Sequence, residues 1–143
     1  MLFLLALALP APASAERART AAAGSMIGKI NKVRARHGLR PLRVSPALAR
    51  TSSGFAGSLM RRNVLSHGSR VRSSGRFRRL GEALALRSGH RLGVGATVRM
   101  WLSSPSHRSV ILTRSMSWVG AGVIRGRFHG RRATIWVVQT GRR

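Results

Sequence analysis

The sequence contains no cysteine, no aspartate and no tyrosine, and its only acidic residues among 143 are Glu16 and Glu82. The lack of cysteine excludes a disulfide scaffold, a thiolate zinc site and a cysteine nucleophile. It leaves the compartment open, because an exported protein can fold without disulfides. Hydrophobic residues make up 43% of the chain, which is enough for one folded domain. A domain of this length buries roughly two-thirds of its unfolded surface, so folding requires no cofactor.

Basic residues are abundant: the chain has 27 of them, 25 of which are arginine, and the formal net charge is +25. Such a charge attracts polyanions, which include nucleic acid, anionic lipid headgroups and acidic cell-wall polymers. The alternative is a solvated arginine-rich surface without a partner, since the arginines are scattered along the chain. No DNA- or RNA-reading motif is present and stacking aromatics are few, so the sequence indicates no specific nucleic-acid partner.

The first 15 residues have the pattern of a secretory signal peptide. Residues 2–9 are apolar but too few to span a bilayer, which takes about 20 residues. Ala13-Ser14-Ala15 then provides a small-x-small cleavage site, although no basic residue precedes the apolar run. We therefore predict a signal peptide at 1–15, a linker at 16–24 and one domain at 25–143. The protein is expected to be secreted or associated with the cell envelope, and not to be an integral membrane protein.

Apolar spacing and capping residues predict the helices and strands. Helices are expected from Met26 to about His37, with Ser25 as a cap and Gly38 as the left-handed end, and from Ser45-Pro46 to near Arg62. The remaining predictions are a loop at 65–79, a third helix at 95–103, and strands at 80–86, 119–124 and 133–140, with Gly126 and Gly130 bracketing a hairpin loop. Trp101, Trp118 and Trp136 lie in apolar patterns and are expected in the core. This order fits an α+β fold in which helices cover an antiparallel sheet.

Several short motifs occur in the order typical of one protein family. They are Ile30-Asn31-Lys32-Val33-Arg34 with GLRPL at 38–42, Ser66-His67, Gly81-Glu82-Ala83, WLSSPSHR at 101–108 followed by Ile111-Leu112, and Val119-Gly120-Ala121-Gly122-Val123. In this order they resemble the CAP superfamily of cysteine-rich secretory, antigen 5 and pathogenesis-related proteins, and most closely its bacterial secreted branch. The resemblance covers residues 26–141.

The resemblance implies a three-layer α-β-α sandwich with a central antiparallel sheet and a cleft on one side. Matched by motif, the cleft would contain His67, Glu82 and His107. Ser104 stands where eukaryotic members usually carry a second glutamate, and Ala83 stands where asparagine is usual. The first departure removes a possible metal ligand or acid, the second removes a polar group beside the cleft, and both weigh against catalysis.

The candidate cleft residues allow three chemical interpretations. His67 and His107 could bind a divalent cation such as zinc weakly, with Glu82 as a further ligand or as a partner of one imidazole. Glu82, the only acidic residue in the predicted domain, could instead form a buried ion pair with a histidine or arginine. Ser104 and His107 could act as a nucleophile and base with Glu82 as the orienting group, although no oxyanion-hole motif accompanies them. His37, His90 and His129 are expected on the surface.

The sequence thus favours an exported binding or structural module whose ligand is an anionic envelope polymer or lipid. A zinc-dependent or serine-type hydrolase using His67, Glu82 and His107 is the main alternative. A basic nucleic-acid-binding protein is the second alternative, and it would require a cytoplasmic location. No cofactor is required by the leading interpretation.

Overall fold

The computed structural model describes residues 12–68 and 77–143. Its elements are α1 (Ala13–Arg36), β1 (Arg43–Val44), α2 (Pro46–Arg62), β2 (Arg79–Ser88), α3 (Val94–Leu102), α4 (Pro105–Leu112), β3 (Trp118–Phe128) and β4 (Arg131–Arg142). The predicted apolar run at 2–9 and most of the predicted loop at 65–79 lie outside the described residues. In the described part of the chain, no helix is both long and apolar enough to cross a membrane.

The four strands form one sheet in the order β1-β3-β4-β2. β4 is central and pairs antiparallel with β3 and with β2, whereas the two-residue β1 pairs parallel with the start of β3. The register places Glu82 of β2 beside Gln139 of β4, and Gly120 of β3 on the other side of Gln139. One row across the sheet therefore carries the predicted glutamate and a residue of the predicted G-x-G strand.

Helices cover both faces of the sheet, which confirms the three-layer α-β-α prediction. One face packs against α1, α3 and α4 around the buried side chains of Trp101 and Trp136. The indole N–H groups of these residues donate to the carbonyl oxygens of Leu84 and Leu92, at 2.9 and 2.7 Å. The other face packs against α2.

Local signals set the ends of α2 as predicted. The Ser45 Oγ accepts a hydrogen bond from the backbone N–H of Leu48 at 3.3 Å, and Pro46 occupies the first helical position. Asn63, with a φ of 51°, ends the helix in the left-handed conformation. These contacts fix the point at which the chain leaves α2 toward Ser66 and His67.

Two glycines allow α2 to lie directly on the sheet. A Cβ at Gly120 would overlap the backbone of Leu48 and Ala49, and a Cβ at Gly122 would lie 2.5 Å from the carbonyl carbon of Ser52. The G-x-G pattern therefore has a role in packing, because it allows the α2 backbone to lie against β3.

The first predicted helix boundary was wrong. α1 begins at Ala13, so residues 16–24, predicted as a linker, are helical, and Ser25 is an internal residue whose Oγ donates to the Ala21 carbonyl. Ala22 is already buried in the core, which explains why the alanine-rich segment continues the helix. The predicted cleavage site at residues 13–15 falls on the first turn of α1.

Other differences lie near the C-terminal strands. The sequence pattern predicts that the helix ends at Ser104-Pro105, but Pro105 is the first residue of a further helix, α4. The hairpin turn consists only of His129 and Gly130, both with positive φ, while Gly126 lies within β3. Trp118 is half-buried and thus is not a core residue like the other two tryptophans.

Candidate functional site

Glu82 lies on β2 with its side chain only 8% exposed, and it accepts three hydrogen bonds. The Nδ1–H of His67 and the backbone N–H of Gly68 both donate to Oε1, each at 3.1 Å. The Nε2 of Gln139 donates to Oε2 at 2.8 Å. Of the two partner types expected for Glu82, histidine or arginine, the structure shows a histidine, His67, and both carboxylate oxygens are engaged.

The Glu82 carboxylate ends a series of buried hydrogen bonds that runs from strand to strand as far as α2. Gln139 and Ser52 are almost completely buried. The Ser52 Oγ lies 3.2 Å from the Gln139 Oε1 and 3.2 Å from the Gly120 carbonyl oxygen, to which it donates. These hydrogen bonds join α2, β3, β4, β2 and the segment after α2. We call the four side chains that make them, Ser52, Gln139, Glu82 and His67, the Glu82 network.

His107 lies next to His67, with their ring centroids 6.3 Å apart and their planes inclined by 36°. The two side chains come from different elements, since His67 follows α2 and His107 lies in the first turn of α4. The Nδ1 of His107 is hydrogen-bonded to the Ser104 Oγ at 3.1 Å. The structure thus brings together all four predicted cleft residues, although His67 is the only one of the other three that is hydrogen-bonded to Glu82.

The pKa of His107 is lowered from its usual value of 6.5, first by burial and second by the positive charge of nearby His67. A histidine with a lowered folded-state pKa binds fewer protons in the native state than in the unfolded state. The native state therefore loses stability as the pH falls from about 6.5 through the folded pKa, because the unfolded chain takes up the proton first.

We expect His67→Gln to raise the pKa of His107 without restoring its usual value. The substitution removes the smaller cause, repulsion between two imidazolium groups, and leaves the larger one, burial, in place. An NMR pH titration of the His107 ring protons measures the change. His129→Gln, in the hairpin turn, is the control and should leave the His107 titration unchanged. An unaltered His107 pKa in His67→Gln would show that the two rings are not coupled.

The geometry does not match the serine-type triad considered from the sequence. Glu82 holds His67, whereas the imidazole next to Ser104 is that of His107. Ser104 is also the residue before α4, and its Oγ lies 3.3 Å from the Ser106 Oγ, within a local polar cluster at the start of that helix. In this arrangement Glu82 does not orient a Ser104–His107 pair, which was one of the possibilities raised by the sequence.

The imidazoles of His67 and His107 are the possible zinc ligands in the cleft. The Nε2 atoms of His67 and His107 make no hydrogen bond within the described residues, so each could act as a ligand. Two imidazoles on one tetrahedral zinc would have centroids about 5 Å apart, somewhat closer than the 6.3 Å observed. No group of three histidine or acidic side chains in residues 12–68 and 77–143 could hold an ion. These residues thus supply two nitrogen ligands and do not fit a catalytic zinc site, which uses three protein ligands.

The sequence interpretation missed Gln139 and Ser52. Both lie in segments that were predicted for their apolar periodicity, and a single buried polar residue in such a segment is the only signal that could have identified them. The three other histidines are exposed as expected, with His37 hydrogen-bonded to the Val33 carbonyl oxygen and His90 to that of Gly126.

Comparisons with known proteins agree with this architecture. The cysteine-rich secretory protein family (CAP) has a sequence profile that matches residues 27–140. A sequence comparison with curated proteins found no significant match.

Solved structures of low sequence identity share the fold. An extracellular protein from Bacillus anthracis that contains an SCP domain is 20% identical, with a TM-score of 0.75 over 95% of this chain and 45% of its own. An outer surface protein from Borrelia burgdorferi is 23% identical, with a TM-score of 0.69 over 84% of this chain and 91% of its own. NaASP2, crystallised with Zn²⁺, is 13% identical, with a TM-score of 0.54 over 72% of this chain and 60% of its own. The chain spans less than half of the Bacillus anthracis protein.

Proposed function

The chain belongs to the cysteine-rich secretory protein (CAP) family, and on that basis we propose that it is an exported binding module that adheres to anionic surfaces of the cell envelope through its arginines. The observation that carries this proposal is the imbalance of charge on the folded surface. The chain has two acidic residues and 27 basic ones. One of the two acids, Glu82, is buried in the network described above.

Among residues 12–68 and 77–143, neighbouring side chains neutralise almost none of the arginines. Glu16 pairs with Arg19 at 2.6 Å, and this is the only arginine–carboxylate side-chain ion pair in the described part of the chain. At the hairpin end of the sheet, Arg127 and Arg132 are exposed and stand directly opposite each other on β3 and β4. Like charges at opposed positions destabilise a sheet. A bound anion would remove that repulsion, so external polyanions are the natural counter-charge.

The cleft favours a structural role for its residues over catalysis. The Glu82 carboxylate accepts three hydrogen bonds from groups that hold the segment after α2 to the sheet. These bonds use both oxygens of the carboxylate to position the segment after α2, which is a structural task. The cleft thus supports a binding module over a hydrolase.

Export is supported by the relatives and by the sequence. The Bacillus anthracis protein is described as extracellular and the Borrelia burgdorferi protein as an outer surface protein. The predicted signal peptide at residues 1–15 would place this chain in the same kind of environment. An anionic envelope polymer or anionic lipid is the partner that such a location would offer.

We expect the protein to bind phosphatidylglycerol vesicles and long-chain polyphosphate with a steep dependence on salt. Each phosphate contacted by an arginine releases counterions, so affinity should fall by roughly 10-fold or more between about 50 and 200 mM salt if several contacts form. Co-sedimentation with vesicles and fluorescence titration with polyphosphate measure this dependence. The double variant Arg127→Gln/Arg132→Gln should bind more weakly and show a shallower salt dependence.

A cleft variant is the matched control. His67→Ala/His107→Ala alters no arginine and should bind both polyanions as the unaltered protein does. Loss of binding in the cleft variant alone, or no binding at low salt to either polyanion, would contradict the proposal. In the second case the arginine surface would have no partner.

Zinc binding without catalysis is the second candidate, because the two neighbouring imidazoles supply only two of the three protein ligands that a catalytic zinc site uses. The two Nε2 atoms could share an ion if the rings moved slightly closer than the observed centroid separation of 6.3 Å. The relative NaASP2 has been crystallised with Zn²⁺. Because a third protein ligand is lacking among the described residues, we derive no zinc-dependent step. Zinc binding that is measured by calorimetry and lost in His67→Ala/His107→Ala would support this candidate, and absence of zinc binding would eliminate it.

A further inference from the structure

A concave pocket of about 420 Å³ lies away from the cleft residues, where the α1–β1 segment meets the start of β3. It is lined by Arg40, Pro41, Arg43, Met116, Ser117 and Trp118. None of the Glu82-network residues contributes to it. Its volume is within the range of roughly 300–1,000 Å³ that small-molecule sites occupy.

The pocket is held in shape by a buried arginine. Arg34 on α1 is fully buried, and its guanidinium donates to backbone carbonyl oxygens of both pocket walls, at 2.9 Å to Arg40 and 3.4 Å to Met116. Two further bonds, to Ile111 and Thr113 at 2.7 and 3.2 Å, fix the end of α4 in the same way. Both walls thus depend on one rigid group.

Further hydrogen bonds brace the α1–β1 wall. The Asn31 side chain exchanges two bonds with the backbone of Leu42, at 2.8 and 3.1 Å. The backbone N–H of Arg43 donates to the Ser117 carbonyl oxygen at 2.8 Å across the β1–β3 pair. A binding site that is preorganised in this way loses little conformational entropy when a ligand enters.

The charge of the pocket is positive and uncompensated. The guanidinium groups of Arg40 and Arg43 are exposed and make no hydrogen bond or ion pair within residues 12–68 and 77–143. A third guanidinium, that of Arg143, lies 4.4 Å from the ring centroid of Trp118. Pro41, Met116 and Trp118 add apolar surface beside these charges.

We infer that this pocket binds a small amphipathic oxyanion, a molecule with one phosphate or carboxylate group and an apolar part of roughly ring size. Guanidinium groups bind such oxyanions through two parallel N–H donors. The apolar part would lie against Pro41 and Trp118. This site differs from the surface adhesion proposed above, because it would take one ligand per chain and depend on two particular arginines.

Phenyl phosphate is the probe, and tryptophan fluorescence is the readout. Trp101 and Trp136 are fully buried, so a change on binding reports mainly on half-buried Trp118. We expect a saturable fluorescence change at about 150 mM salt, no change with the uncharged analogue benzyl alcohol, and loss of the signal in Trp118→Phe. Arg40→Gln/Arg43→Gln should weaken binding roughly 10-fold or more, since it removes two charge-assisted contacts.

The hairpin variant separates this site from general surface charge. Arg127→Gln/Arg132→Gln removes the same number of charges and should change phenyl phosphate affinity less than about two-fold, because salt screens charges beyond about 8–10 Å. Phosphatidylglycerol vesicles distinguish the source of the oxyanion. If Arg40→Gln/Arg43→Gln impairs vesicle binding more than the hairpin variant does, the oxyanion is a lipid headgroup, and equal vesicle binding indicates a soluble molecule. Equal loss of phenyl phosphate binding in both double variants, or no saturable binding at all, would overturn the site.

Discussion

Gly120→Ala is expected to lower the free energy of unfolding by about 3 kcal/mol and the midpoint of thermal unfolding by about 10 °C. A Cβ at this position would overlap the backbone of Leu48 and Ala49. Backbone cannot rotate aside as a flexible side chain can, so α2 would have to move off the sheet. The Gly120 carbonyl also accepts the hydrogen bond from Ser52, and the displacement would weaken the Glu82 network. Circular dichroism during thermal and urea unfolding measures the effect.

Gly54→Ala is the matched control, because Gly54 lies on the same helix α2. An added Cβ there would meet no atom within 4 Å. In a helix, alanine is favoured over glycine by about 1 kcal/mol, so this variant should be more stable than the unaltered protein. Similar stability of the two variants would show that α2 does not rest on Gly120.

Glu82→Leu is expected to destabilise the fold by about 3 kcal/mol, and Glu82→Gln by about 1 kcal/mol. Leucine removes the acceptor of all three donors and leaves the buried Gln139 amide facing an apolar group. Glutamine keeps the size and shape of the Glu82 side chain. If the Gln139 amide flips, its Oε1 accepts from the new amide and its Nε2 donates to the Ser52 Oγ. The number of hydrogen bonds is then preserved, and only the charge is lost.

His67→Gln is the control for the Glu82 series. It removes one exposed donor and leaves Glu82 bonded to Gly68 and Gln139, so it should cost less than Glu82→Leu. Urea unfolding of the three variants measures the order. Equal stability of Glu82→Leu and the unaltered protein would show that the carboxylate is solvated and has no structural role.

Local sequence signals were sufficient for the family and for much of the fold. The Ser45-Pro46 pair predicted the start of α2, and the left-handed end at Gly38 is observed with a φ of 66°. Such signals succeed because a cap or a turn depends on residues within a few positions of each other. A cationic or histidine partner for Glu82 was also predicted, since an isolated buried carboxylate is costly, but the sequence left histidine and arginine both open.

The predicted helix boundaries were wrong where the same residues are compatible with both a helix and a linker, or with both the end and the start of a helix. The alanine-rich segment before Met26 has no apolar periodicity, yet Ala22 packs into the core and the helix extends over it. Ser104-Pro105 can end one helix or begin the next, and the short turn between α3 and α4 satisfies both.

What the sequence determined by itself is the set of residue types that could meet: two histidines, one carboxylate, an abundance of arginine and a glycine pair on one strand. Only the tertiary structure decided their partners. The β2–β4 register places Gln139 beside Glu82 across 57 positions of sequence. Likewise, Arg34 reaches Met116 across 82 positions and, through a further hydrogen bond to Arg40, holds both walls of the pocket lined by Arg40 and Trp118. Contacts of this kind follow from strand register and helix packing, which the local pattern of the chain does not specify.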